Sequence, residues 1–138
     1  MLLAIDIGNT NVKLGVFVGA ELKASWRIAT DRARLADEYA VTVTDLLRLD
    51  GLEPSGIAAV VIASVVPVLT PVFEELCRRR LKVTPLRVGA GVKTGLAGEF
   101  GRNRRLTRTV EDQADVLSVY LLYNAGYDPG RASAFWQR

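Results

Sequence analysis

The run Ile57-Ala58-Ala59-Val60-Val61-Ile62-Ala63 constrains this chain more than any other stretch. An apolar run without a polar break suits a strand covered on both faces, and such strands belong to parallel sheets with flanking helices. The apolar stretch extends to Leu69 but is interrupted by Ser64 and Pro67, and it is too short to cross a bilayer. The strand therefore needs neighbours. Leu2-Leu3-Ala4-Ile5 is a short apolar run that ends in the turn signal Asp6-Ile7-Gly8-Asn9-Thr10. Val12 to Val18 alternates apolar residues with Lys13 and Gly15. After the tight connection Gly19-Ala20, Leu22 to Ile28 alternates again, with Trp26 and Ile28 on one face. Connections this short permit only an antiparallel meander.

From Leu35 to Leu49 the period changes. Leu35, Tyr39, Val43, Leu46, Leu47 and Leu49 recur largely at three- and four-residue spacing, which predicts an amphipathic helix. Thr30 or Asp31 is expected to cap its approach, and Asp50-Gly51 ends it. Thr70 and Pro71 open a second helix to about Arg80, and a short strand follows near Pro85 to Val88. The order βββαβαβ predicts an α/β domain with a mixed sheet. Five glycines between Gly89 and Gly101 predict a loop, and Arg102 to Arg108 (RNRRLTR) continues it as a basic segment. A helical pattern restarts at Thr109, with Val110, Ala114, Leu117, Leu121 and Leu122 on one face, and ends at Ala125-Gly126. Asp128-Pro129 opens a last short helix through Phe135 and Trp136. The expected division is a domain over 1–100 and a basic linker with a helical hairpin packed on it over 101–138.

Composition removes several kinds of chemistry. The 138 residues contain no His and one Cys. A Ser-His-Asp triad, a Cys-His dyad and an HExxH zinc site are therefore excluded. Cys77 has no partner for an internal disulfide and reads as a small core residue. The net charge is +3 with a pI near 9.3, which is only mildly basic. Arg78-Arg79-Arg80 and Lys82 close a helix, where cations favour the dipole. Neither they nor RNRRLTR are interleaved with aromatic residues, so no nucleic-acid partner is expected. The run before Asp6 lacks a basic leader, so no signal peptide is read there. The expectation is a soluble cytoplasmic protein without a membrane partner.

The chemistry-bearing residues cluster between the first two strands. A carboxylate at Asp6 can hold Mg²⁺, directly or through water. Gly8 allows close backbone approach to a phosphate, and the side chains and amides of Thr10 and Asn11 can donate to its oxygens. Lys13 adds positive charge nearby. The same Asp-Gly-Asn set also suits a plain hairpin turn.

The surroundings separate these readings. DIGNTNVKLGVF, then SWRIAT, ADEY, VIASVVP and GVKTGL, in this order and spacing, resemble type III pantothenate kinase, the family of the Bvg accessory factors, over residues 1 to about 96. The resemblance implies an RNase H-like half of the acetate/sugar kinase–Hsp70–actin superfold. It implies ATP-dependent phosphorylation of pantothenate, the first step towards coenzyme A, with Mg-ATP and a monovalent cation (K⁺ or NH₄⁺). By position, Asp6, Gly8, Asn9, Thr10, Asn11 and Lys13 look like the first phosphate loop, with Asp6 towards the metal. Gly91, Lys93, Thr94 and Gly95 look like the loop near the pantothenate pocket; otherwise they are a Gly-rich connection. Ala63-Ser64-Val65-Val66-Pro67 looks like the family's strand-end motif. Phe100 falls where members often have a substrate-side Tyr.

Past residue 100 the pattern departs. The family's Gly-Ala-Asp-Arg, which carries the base, and Asp-Phe-Gly-Thr-Ala-Thr-Thr, the second phosphate loop, do not occur in these residues. The nearest string is Gln113-Ala114-Asp115-Val116, farther downstream, so Asp115 does not inherit the base role on spelling. Instead Glu111-Asp112-Gln113-Ala114-Asp115 with Leu117, Ala125-Gly126-Tyr127-Asp128-Pro129 and Phe135-Trp136-Gln137-Arg138 resemble the helix pair that follows the active site in M48-type zinc metallopeptidases. Glu111 matches a zinc ligand there, but one carboxylate without His does not hold zinc, so no zinc and no peptidase activity are expected. The expected chain is thus a truncated or chimeric kinase half-domain with a foreign tail, its kinase activity impaired or absent. The alternative is a non-catalytic α/β module with weak phosphate binding. Apolar surface left bare would favour a homodimer.

Overall fold

The computed structural model describes residues 1–87. Three strands, β1 (Leu2–Ile7), β2 (Asn11–Val18) and β3 (Glu21–Ala29), form the expected meander. Helix α1 (Ala36–Leu49) carries the chain from the edge strand β3 across the sheet to β4 (Ala59–Ser64). Helix α2 (Thr70–Leu76) and a π-helical continuation over Cys77–Leu81 lead to the short edge strand β5 (Leu86–Arg87). The sheet order is β3-β2-β1-β4-β5. β1 is antiparallel to β2 and parallel to β4, and β4 is parallel to β5. The mixed α/β sheet predicted from the pattern is the one observed. The tail helices, the Gly-rich loop, Phe100 and Asp115 lie outside the described residues.

Strand alternation splits the sheet into two chemically different faces. Leu3, Ile5 and Ile7 of β1, Val12, Leu14 and Val16 of β2, and Val60 and Ile62 of β4 join one core with Tyr39, Val43 and Leu47 of α1 and Phe73 and Leu76 of α2. The rings of Tyr39 and Phe73 lie 4.6 Å apart and tilted by 43°, a favourable arrangement for two buried aromatics. Both helices therefore sit on the same face. The opposite face carries Ala4, Phe17, Val61 and Ala63, also buried. Four consecutive residues of β4, Val60 to Ala63, are buried, as a strand covered on both sides requires.

The helix ends show where local chemistry differs from the expectation. Leu35, not Thr30 or Asp31, occupies the N-cap of α1, and its N–H donates to the Glu38 carboxylate at 3.1 Å. Asp31 instead accepts from the Ala33 N–H at 2.9 Å, which fixes a turn ahead of the helix. At the other end Gly51 has φ +73, and the N–H of Leu52 reaches the Leu47 carbonyl at 2.9 Å, as a Schellman stop demands. Leu49 is 80% exposed although it was expected inside; two residues beyond Leu47 turn it about 200° around the helix.

The basic run after α2 is spent on nearby carboxylates. Arg78 pairs with Glu74 and Arg79 with Glu75 at i,i+4 spacing, and Arg87 also reaches Glu74. Arg80 bonds Asp37 across the helix pair at 3.0 Å and holds that carboxyl below its usual range. Apart from the half-buried Glu74 these side chains are exposed, and the pairs contribute little stability but account for the charge locally.

Cys77 is buried, and burial pushes its thiol up to about 12 from an ordinary 9.0. The folded thiol thus stays protonated where the unfolded one ionises. Its contribution to stability is complete below pH 9 and is lost as pH rises from about 9 towards about 12. Urea unfolding at pH 8 and pH 10.5 tests this: Cys77→Ala should show a shallower alkaline decline than the parent chain. Rapid native-state thiol labelling at pH 8 would contradict the burial.

Candidate phosphate-binding site

β1 and β2 are joined by only three residues, Gly8, Asn9 and Thr10. The N–H of Gly8 donates to the carbonyl of Asn11 at 2.9 Å and closes the turn. A Cβ on Gly8 would stand 2.9 Å from that same oxygen, so a side chain there would collide with backbone. This assigns Gly8 a role the sequence alone did not distinguish: it makes room for the Asn11 carbonyl, and its own amide is used in the turn. Asn9 and Thr10 are exposed at the tip. Among the described residues, their two amides have no hydrogen-bond partner.

The turn is held from two sides. Thr30, at the end of β3, donates its hydroxyl to the Gly8 carbonyl at 2.7 Å and its N–H to the Thr10 carbonyl at 2.9 Å. From the other side, the Val65 N–H donates to the Ile7 carbonyl at 3.0 Å. Ser64 bends the chain there, accepting from the Val66 N–H at 3.1 Å. The Ala63–Pro67 segment therefore meets β1 through its backbone at Ile7, the residue just before the turn. The carboxyl ends of the parallel strands β1 and β4 lie side by side at this point, the place where open α/β sheets build ligand crevices.

The charged residues follow from register. Asp6 is opposite Lys13 on β2 and Ala63 on β4, and Lys13 is opposite Arg27 on β3. Because Ile5 and Ile7 face the helices, Asp6 faces the other way, together with Asn11 and Lys13. Asp6 and Lys13 are half-buried. One acid between the turn and a neighbouring base can share a divalent cation with phosphate oxygens, the usual manner in which Mg²⁺ is held. The loop, Asp6, Asn11 and Lys13 are thus brought to one end of one sheet face. Gly91, Lys93, Thr94, Gly95 and Asp115 lie outside the described residues.

Sequence reasoning missed Thr30 and Arg32 as parts of the site. Thr30 was read as a helix cap; its place at the end of a strand registered against β2 was the available signal. Arg32 donates to the Asn9 side-chain oxygen at 3.0 Å and carried no motif of its own.

Two substitutions test the closed turn. Gly8→Ala should lose about 1–3 kcal/mol of stability through overpacking. Thr30→Val, which leaves the Gly8 carbonyl without its hydroxyl donor, should lose about 1 kcal/mol. Urea unfolding reads both, and a Gly8→Ala midpoint equal to the parent's would contradict this geometry.

Comparison with known proteins gives the family. The family model described as type III pantothenate kinase matches residues 2–106. The type III pantothenate kinase of Moorella thermoacetica is 44% identical over 138 residues, spanning 98% of this chain and 54% of the relative. That of Geobacter sulfurreducens is 46% identical over 106 residues, 77% of this chain and 42% of the relative. The chain thus spans about half or less of the length of these curated relatives. The family model ends at 106, whereas the Moorella alignment takes in nearly the whole chain. Among solved structures, a ROK hexokinase from Thermus thermophilus aligns with TM-score 0.52 at 16% identity, over 71% of this chain and 36% of that one. A putative N-acetylglucosamine kinase from Porphyromonas gingivalis aligns with TM-score 0.51 at 18% identity, over 71% and 38%. At such identity the likeness is one of fold alone, in keeping with the RNase H-like half that the motifs imply. With three-quarters of its length matched to the family and relatives this similar in sequence, the chain belongs to the type III pantothenate kinase family.

Proposed function

We propose that this chain forms the first phosphate-binding wall of a kinase that transfers the γ-phosphoryl group of Mg-ATP to a pantothenate hydroxyl. The observation that carries the reading is the juxtaposition of Asp6, Asn11 and Lys13 with the closed Gly8–Asn11 turn at the carboxyl ends of β1 and β4. Phosphoryl transfer depends mostly on positioning and charge stabilisation, which such a wall supplies in part. The amides of the exposed residues Asn9 and Thr10 and the Thr10 hydroxyl offer donors to phosphate oxygens. Lys13 balances their charge. The residues fit the cofactor: Gly8 leaves no side chain over the turn, and Asp6 gives a hard oxygen ligand for Mg²⁺. When bound, the metal neutralises charge on the phosphates.

Gly91, Lys93, Thr94 and Gly95 are assigned to the pantothenate side, and a monovalent cation (K⁺ or NH₄⁺) completes the set, both by family membership. A cytoplasmic location belongs to the same proposal; among the described residues no helix is long and apolar enough to cross a membrane. The strings that in the family supply the base and the second phosphate loop do not occur in these 138 residues. Full activity therefore calls for a second wall from another segment or a second copy, and Asp115 is the carboxylate to test as base if this chain turns over by itself.

The test is a phosphorylation assay on the purified chain with pantothenate, Mg-ATP and K⁺ or NH₄⁺, the product weighed by mass spectrometry, together with Mg-ATP titrations. Mg-ATP should bind, Asp6→Asn should weaken it strongly, and little or no phosphopantothenate should form. A rate near that of a full-length relative would refute the need for a second wall. A folded chain that does not bind Mg-ATP would favour the non-catalytic α/β module instead.

A further inference from the structure

The segment that follows β3 is anchored on both sides of one arginine. Before it, Thr30 is fixed to the loop carbonyls of Gly8 and Thr10. Asp31 is fixed to Tyr39: its N–H donates to the phenol oxygen at 2.9 Å, and its carbonyl accepts the phenol proton at 2.8 Å. Tyr39 is fully buried, so this clamp is part of the core. After the arginine, the Ala33 N–H is tied back to the Asp31 carboxylate at 2.9 Å. Arg32 therefore projects from a backbone with little freedom, and its Nη2 donates to the Asn9 Oδ1 at 3.0 Å. Among the described residues it is the guanidinium that bonds the tip of the turn.

The partner is an uncharged amide. Arg32 forms no ion pair with a carboxylate among the described residues, in contrast to Arg78, Arg79, Arg80 and Arg87. Among the described residues its charge is thus unpaired, and the fork of N–H groups left beside Asn9 matches the geometry of phosphate oxygens. We infer that Arg32 is a phosphate-binding residue of this site. Its guanidinium binds the polyphosphate of the nucleotide held by the turn, and Asn9 is the positioning residue that aims it. This rests on the phosphate-loop reading above and adds to it a cationic contact whose weight grows with the number of phosphates.

The test titrates the full chain, Arg32→Ala, Arg32→Lys, Asn9→Ala and Asp6→Asn with Mg-ATP, AMP and inorganic tripolyphosphate, with circular dichroism confirming that each is folded. Arg32→Ala should bind Mg-ATP and tripolyphosphate about tenfold more weakly, as loss of a charge-assisted bond implies, and AMP within about twofold of the parent. Arg32→Lys, which keeps the charge and loses the fork, should recover part of the loss. Asn9→Ala should fall between the parent and Arg32→Ala. Parent-like Mg-ATP binding by Arg32→Ala, with Asp6→Asn still impaired, would overturn the role of Arg32 and leave the loop reading standing. A parent chain that bound neither Mg-ATP nor tripolyphosphate would overturn both.

Discussion

Joining two antiparallel strands through three residues brings the Gly8 N–H to 2.9 Å from the Asn11 carbonyl, and that contact leaves no space for a side chain at Gly8. The rest of the site is arranged around it. Closure orients the carbonyls of Ile7, Gly8 and Thr10 towards donors on neighbouring elements, and Val65 and Thr30 meet them. The same closure leaves Asn9 and Thr10 exposed at the tip. A buried backbone group without a partner is costly, so the ring of bonds favours one loop shape over alternatives. The loop is thereby shaped before any ligand arrives, which lowers the ordering cost of binding.

The sheet divides two duties by strand alternation, packing on one face and the display of charged residues on the other. Residues 5 and 7 of β1 and 12 and 14 of β2 anchor the helices, whereas residues 6, 11 and 13 stand on the opposite face near the turn. A shift of register by one residue would exchange the two sets, sending Asp6 and Lys13 into the apolar core. The continuous apolar core against α1 and α2 therefore fixes where the charged residues can stand. Tyr39 joins the two duties directly: its ring packs in the core beside Phe73, and its hydroxyl holds the Asp31 backbone next to the loop.

Much of this was legible in the sequence for simple reasons. Ile57 to Ala63 announced a strand covered on both faces, and the short turns at Gly8–Thr10 and Gly19–Ala20 forced the meander. The order and spacing of the motifs carry the family resemblance on their own. Other features depend on contacts between residues distant in the chain, which periodicity does not encode. Thr30 looked like a cap because its hydroxyl suits one, yet its partner is 22 residues away in sequence. Leu35 takes the cap position without a side-chain acceptor because Glu38 bonds its N–H and Asp31 shapes the preceding turn. The π-helical widening at Cys77–Leu81, ended by Lys82 at φ 59, had no sequence signal, since glycine is the usual residue in that conformation.

The proposed phosphate chemistry depends on the β1–β2 turn being a preformed cradle. The most direct measurement is an amide NMR titration of the full chain with Mg-ATP. Saturable shifts are expected, centred on Asn9 and Thr10 and extending to Asn11, Lys13 and the Arg32 side chain, with the amides of α1 unmoved. Saturable shifts centred elsewhere, or none at millimolar Mg-ATP, would contradict it.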